Sequence, residues 1–154
     1  MKYTYIVDIS DIDKAWERIE KRTKREIKRC EEEIFLTTDV DWFNKLHKKT
    51  RPDRKIDEDF IETIFKKKKA IIYATQTAGS VISNDGKTGY YLFGARDKSM
   101  SDGCPSKILW QAMKDLNAKG VTKFDLCGAN NKSIAFFKRG FGGKLVNQKK
   151  DYFK

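Results

Sequence analysis

Between Val121 and Gly143 the chain reads VTKFDLCGANNKSIAFFKRGFGG, a stretch that leaves little freedom for its local fold. Val121 to Cys127 has the alternation of a short buried strand, and Gly128 stops it. A helix follows at once: Asn130 or Asn131 can accept backbone N–H bonds as its N-cap, while Ile134, Phe137 and Phe141 recur at helical spacing. Gly140 stands where a C-terminal cap belongs. Gly142 and Gly143 then predict a tight turn into a last strand from Lys144 to about Tyr152.

The other elements follow from the same two periodicities. Tyr3, Tyr5, Val7 and Ile9 alternate as a strand with one buried face. From Ser10, as N-cap, the apolar stripe Ile12, Ala15, Trp16, Ile19, Thr23, Ile27 and Cys30 predicts one long charged helix. Its outer face carries Lys24, Arg25, Lys28 and Arg29, a basic patch suited to phosphates; Glu26 and Glu31 to Glu33 beside it also fit an ordinary solvated face. Ile34 to Thr37 reads as a short strand, and Asp39 or Asp41 opens a helix through Trp42, Phe43 and Leu46. The single histidine, His47, lies among Lys45, Lys48 and Lys49 and is expected at the surface.

After a break at Arg51-Pro52-Asp53, a helix is predicted from Asp57 to Phe65, with Lys66 to Lys69 as its solvated end. Ala70–Thr77, Gly79–Ser83 and Thr88–Ala95 read as strands, the last two joined by a turn at Asn84-Asp85-Gly86-Lys87. With the first strand they predict a contiguous antiparallel meander. Arg96 to Pro105 is a polar loop, and Ile108, Leu109, Ala112, Met113 and Leu116 mark a helix ending at Gly120.

A chain of 154 residues is expected to form one domain, residues 1–154, around one core. Its 33 Lys and Arg against 22 Asp and Glu give +11, which draws polyanionic or phosphate-bearing partners. Cys30, Cys104 and Cys127 show no CxxC spacing, so neither a disulfide framework nor a structural zinc site is expected, and no metal is assigned. With no apolar run long enough for a membrane span, the expected home is the cytoplasm.

Asp125-Leu126, Gly128, Phe137-Lys138 and Phe141-Gly142-Gly143 resemble the C-terminal signature of the FemAB-like branch of the GNAT acyltransferase superfamily. YYLFGAR and ILWQAMKDLNAKG precede them at family-like spacing. The resemblance implies a single α/β (α+β) domain of GNAT type, a mixed, mostly antiparallel sheet with helices on both faces. It further implies two neighbouring strands, Thr88–Ala95 and Val121–Cys127, that splay to admit the arm of an acyl donor. Lys138, which follows Phe137, is the residue implicated in acyl transfer. One of Tyr90 and Tyr91 faces the cleft, with Tyr91 the candidate acid, and Asp125 is the candidate base.

Donor contacts are expected from Phe137, Arg96, Gly103, Ser106, Lys107 and Asn130. The loop before the Cys104 helix departs from the glycine-rich pyrophosphate pattern of acetyl-CoA users, having Gly103 alone and a proline at Pro105. The implied activity is N-acyl transfer from acyl-CoA or aminoacyl-tRNA, as co-substrate rather than bound cofactor, to a primary amine. A non-catalytic RNA- or tRNA-binding module is the alternative, and a homodimer completing the site is a further expectation.

Overall fold

The computed structural model describes residues 2–50, 58–97, 99, 102–129 and 131–154. Asn130 and the break and helix start expected between Arg51 and Asp57 lie outside the described residues. Seven strands form one sheet: β1 (Tyr3–Asp8), β2 (Phe35–Thr37), β3 (Ile71–Ala74), β4 (Ala78–Asn84), β5 (Thr88–Arg96), β6 (Lys123–Asp125) and β7 (Lys144–Asn147). Their spatial order is β2-β3-β4-β5-β6-β1-β7, antiparallel throughout except for the parallel β5–β6 pair. The described helices are α1 (Ile12–Arg18), α2 (Lys21–Arg29), α3 (Val40–Thr50), α4 (Glu58–Lys67), α5 (Cys104–Ala118) and α6 (Lys132–Arg139). The expected mixed, mostly antiparallel sheet with helices on both faces is therefore what the chain forms.

Two apolar cores sit on the two faces of the sheet. Val7, Ile9, Ile108, Met113, Phe124 and Phe141 pack with α1, α2 and α5 on one side. Phe43, Ile61, Ile64, Ile72 and Val81 pack with α3 and α4 on the other. The β4–β5 hairpin is set locally, as its sequence predicts: the Asp85 carboxylate accepts the Lys87 and Thr88 N–H groups and closes the turn.

Four expectations are corrected. β1 is not part of the β3–β4–β5 meander; it lies between β6 and β7. The α5 crossover lays β6 parallel beside β5, and β1 then pairs with the far edge of β6. Flanked on both edges, β1 buries residues on both faces, Thr4 as well as Val7, while Tyr3 at its start is exposed.

The single long helix from Ser10 to Cys30 is two helices, α1 and α2, and the N-cap is Asp11, whose carboxylate accepts the Asp13 and Lys14 N–H groups. Ile19 and Glu20 are extended, and the Glu20 N–H donates to the Gly140 carbonyl at the end of α6. A tertiary contact breaks what periodicity alone would continue.

His47 is buried, not at the surface: it stacks one turn beyond Phe43 on the face of α3 that meets the sheet. Cys30 and Cys104 form a disulfide across 74 residues of sequence. It joins the C-cap of α2 to the first residue of α5, a proximity made by helix packing and invisible to a search for local cysteine spacing.

Candidate active site

β5 and β6 pair over three positions only, Thr88 with Lys123, Gly89 with Phe124 and Tyr90 with Asp125. Beyond Asp125 the chain stays with β1, since Leu126 N–H donates to the Tyr5 carbonyl and Ala129 N–H to that of Tyr3. β5 meanwhile bends away: Ile82 pairs with Tyr91 and Val81 with Phe93, so Leu92 is the extra residue of a bulge. The sheet thus opens as a wedge between β5 and the end of β6.

Lys138 stands at this opening, on the α6 face. Asn131 starts α6 by accepting the Ser133 and Ile134 N–H groups, and the chain turns into β7 at Gly142, where φ is +77° and a Cβ would lie 2.4 Å from the Arg18 carbonyl oxygen. Held between these points, the Lys138 side chain is turned inward and is only 7 % exposed. Its ammonium donates to the Gly128 carbonyl at 2.8 Å and reaches the Cys127 carbonyl at 3.4 Å. It also lies 5.4 Å from the centre of the Tyr91 ring. Tyr91, then, is the member of the tyrosine pair beside Lys138. Tyr90 takes the opposite face, donating to Asp85 and accepting from Lys150.

Asp125 is buried, and both of its oxygens are hydrogen-bonded. It accepts from the Thr4 hydroxyl at 2.6 Å, the Cys127 N–H at 2.8 Å and the Tyr152 hydroxyl at 2.9 Å. These bonds hold the strand end whose Cys127 and Gly128 carbonyls receive Lys138. Burial, helped by the nearby Asp125 charge and opposed by Lys138, pushes the Cys127 thiol well up, so it is neutral at ordinary pH. Burial likewise raises the Tyr152 hydroxyl, keeping it a donor. A hollow of about 440 Å³, lined by Thr4, Asp125, Lys149, Lys150 and Tyr152, opens beside this network. Thr4 and Tyr152 carry no sequence signal for such a role, since they lie 121 and 27 residues from Asp125.

The remaining candidates divide. Phe137 sits beside Lys138 and packs edge-on against Phe141, and Arg96 is exposed at the end of β5. Gly103, Ser106 and Lys107 are instead turned onto α2. A Cβ at Gly103 would lie 2.2 Å from the Glu26 carbonyl oxygen, the Ser106 hydroxyl donates to the Glu26 carboxylate, and Lys107 donates to the Cys30 and Glu32 carbonyls. The first turn of α5 is a packing joint flanked by Glu26, Glu32 and Asp102. On α2, Arg25, Lys28 and Arg29 are exposed, and the ammonium groups of Lys24 and Lys28 lie 5.2 and 6.0 Å from the Trp16 ring.

No protein-family model matches the chain, and no curated protein matches it by sequence. Solved structures do. FemX superposes with a TM-score of 0.79 at 14 % identity, over 93 % of this chain and 59 % of FemX. The C-terminal domain of a putative lysylphosphatidylglycerol synthetase from Agrobacterium fabrum gives 0.63 at 10 %, over 94 % of this chain and 57 % of that one. L-PGS from Bacillus licheniformis gives 0.59 at 13 %, over 94 % and 58 %. The chain thus spans less than two thirds of these proteins. At these identities the likeness is one of fold: with its parted β5–β6 pair and α6 above it, this chain has a FemX-like fold.

Proposed function

We propose that this domain transfers an acyl or aminoacyl group from an activated donor to a primary amine, with the donor's acyl arm in the β5–β6 wedge. The observation that carries the reading is the buried Lys138 ammonium at the mouth of that wedge, beside Tyr91. In the reaction the amine nitrogen forms an amide bond to the acyl carbon, the carbon–oxygen or carbon–sulfur bond to the donor breaks, and a proton passes from the nitrogen to the leaving atom. Lys138 balances the oxyanion of the tetrahedral intermediate, and Tyr91 relays the proton, giving its own to the leaving atom and taking one from the amine nitrogen. Asp125 is assigned to holding the Cys127–Gly128 backbone rather than to taking a proton, because its oxygens already accept from Thr4, Cys127 and Tyr152.

Two features favour aminoacyl-tRNA over acyl-CoA. A pyrophosphate at the α5 N-terminus would meet Glu26, Glu32 and Asp102, with Ser106 and Lys107 already committed to α2. The α2 cations offer a surface for a nucleic-acid backbone. The name of one neighbour, a putative lysylphosphatidylglycerol synthetase, denotes a lysyl-bearing product, and this too supports an aminoacyl donor.

The test is transfer of labelled amino acid from charged tRNA to amine acceptors, with binding followed by thermal shift. Lys138→Met is expected to lower turnover about 10²- to 10³-fold, the usual cost of one oxyanion donor. Unchanged turnover in that variant, with no stabilisation by charged tRNA or acyl-CoA, overturns the reading. The second reading, an RNA-binding module without catalysis, is favoured by the cations around Trp16. It predicts binding that survives Lys138→Met and is lost when Lys24, Arg25, Lys28 and Arg29 are neutralised. In the acyl-transfer reading a second copy of the domain supplies the acceptor side, and sedimentation tests it.

A further inference from the structure

The joint between α2 and α5 gathers more than a disulfide. Around the bonded Cys30 and Cys104 stand the carboxylates of Glu32 and Asp102, with one ligand atom each from Glu32, Asp102 and Cys104 lying within 4.8 Å of one another. The Cys104 sulfur is 3.3 Å from Glu32 Oε2. Glu32 Oε1 and Asp102 Oδ1 accept from the Thr77 and Cys104 N–H groups, while their other oxygens share the Thr77 hydroxyl, 2.8 Å from Glu32 Oε2 and 2.6 Å from Asp102 Oδ2, which has one proton to donate. Among the described residues no lysine or arginine nitrogen pairs with either carboxylate. Two sulfurs and two carboxylates therefore converge where the Lys107 ammonium is spent on the Cys30 and Glu32 carbonyls and so fixes the loop that carries them.

We infer that this joint has two exclusive states: the disulfide, and in the reduced chain a divalent-cation site made by Cys30, Cys104, Glu32 and Asp102. Two thiolates and two carboxylates make a four-coordinate set that suits zinc or cadmium and not magnesium or calcium. The spacing fits. Two sulfurs each ~2.3 Å from a tetrahedral ion lie ~3.8 Å apart, a separation that rotation of the cysteine side chains supplies across a Cα–Cα distance of 5.0 Å. Both cysteines are buried while Glu32 and Asp102 are half-exposed, so the ion enters from the carboxylate side.

The interconversion balances. A dithiol reductant gives two electrons and two protons to the Sγ–Sγ bond and becomes a disulfide itself, and the cation then displaces the two thiol protons. Either state ties α2, with its basic face, to the start of α5. Only the cation state is under the control of metal supply.

The experiment uses the full chain, reduced with a phosphine, freed of reductant without air and titrated with cadmium chloride, with thiolate-to-cadmium charge-transfer absorbance as readout. Reduced protein is expected to saturate at one equivalent, to resist heat better with cadmium than without, and to show no such band when oxidised. Glu32→Gln and Asp102→Asn keep both cysteines and should each weaken binding about tenfold or more, at least the effect of disturbing a partner of a metal ligand. Cys30→Ser should abolish the band; if that variant does not fold, the two carboxylate variants decide alone. Absence of saturation at one equivalent, or equal affinity in wild type, Glu32→Gln and Asp102→Asn, overturns the site.

Discussion

Removing the Tyr152 hydroxyl tests the network that holds the wedge, and its effect can be worked out from the contacts. In Tyr152→Phe the ring keeps its packing, including its contact with Tyr90, while Asp125 loses a donor to both of its oxygens. A hydrogen bond to a charged acceptor contributes about 1.5–3 kcal/mol net. The lower end applies, since Asp125 keeps Thr4 and the Cys127 N–H and borders a hollow of about 440 Å³ that admits water. The expected loss is about 1.5 kcal/mol, read as a lower urea midpoint at unchanged slope, or a fall of about 3–6 °C in Tm for a chain of this size. In an Asp125→Asn background, where the acceptor is neutral, the same change should cost about 1 kcal/mol less, giving a measurable coupling energy. A loss under about 0.5 kcal/mol, or equal losses in both backgrounds, would show that the hydroxyl and the carboxylate are not joined as described.

Reducing the Cys30–Cys104 bond without added metal releases a loop of 74 residues and should lower stability by about 4 kcal/mol, seen as a fall of about 8–16 °C in Tm; Cys104→Ser should match it. Gly89→Ala places a Cβ 2.4 Å from Leu116 Cδ1 at the closed end of the wedge and should cost about 1–3 kcal/mol by overpacking, with partial recovery when Leu116→Val is added. Burial opposes ionisation of Asp85, but the Thr88 and Lys87 N–H groups, Tyr90 and Lys150 outweigh it and hold its carboxyl at about 2. Because the folded value lies below the ordinary 3.8, its stabilisation is complete above that pH and is lost as pH falls toward about 2. With a side chain 46 % exposed, about 1 kcal/mol is expected after screening, measured as a difference between wild type and Asp85→Asn that disappears under acid titration.

Much of the site's framework is legible in the sequence because its causes are local. The Asn131 cap, the helix through Ile134 and Phe137 to its cap at Gly140, and the Asp85 turn depend on residues within a few positions of one another, and each forms where its spacing places it. The mixed sheet is what the motif resemblance on the same stretch implies. Which tyrosine accompanies Lys138 was open, because alternation says that Tyr90 and Tyr91 oppose each other and not which face α6 will cover.

Other features were settled only when distant elements packed. Glu20 ends what would have been one helix because Gly140 comes to meet it, and His47 is buried because α3 turns that face to the sheet. Cys30 finds Cys104, and Asp125 finds Thr4 and Tyr152, across 74, 121 and 27 residues. Spacing along the chain governs dihedrals, caps and turns, whereas these pairings depend on how helices and strands are laid against one another. The amino-acid order by itself determined the pieces and their faces; the three-dimensional packing decided that β6 follows β1 and leaves β5, which is what opens the wedge.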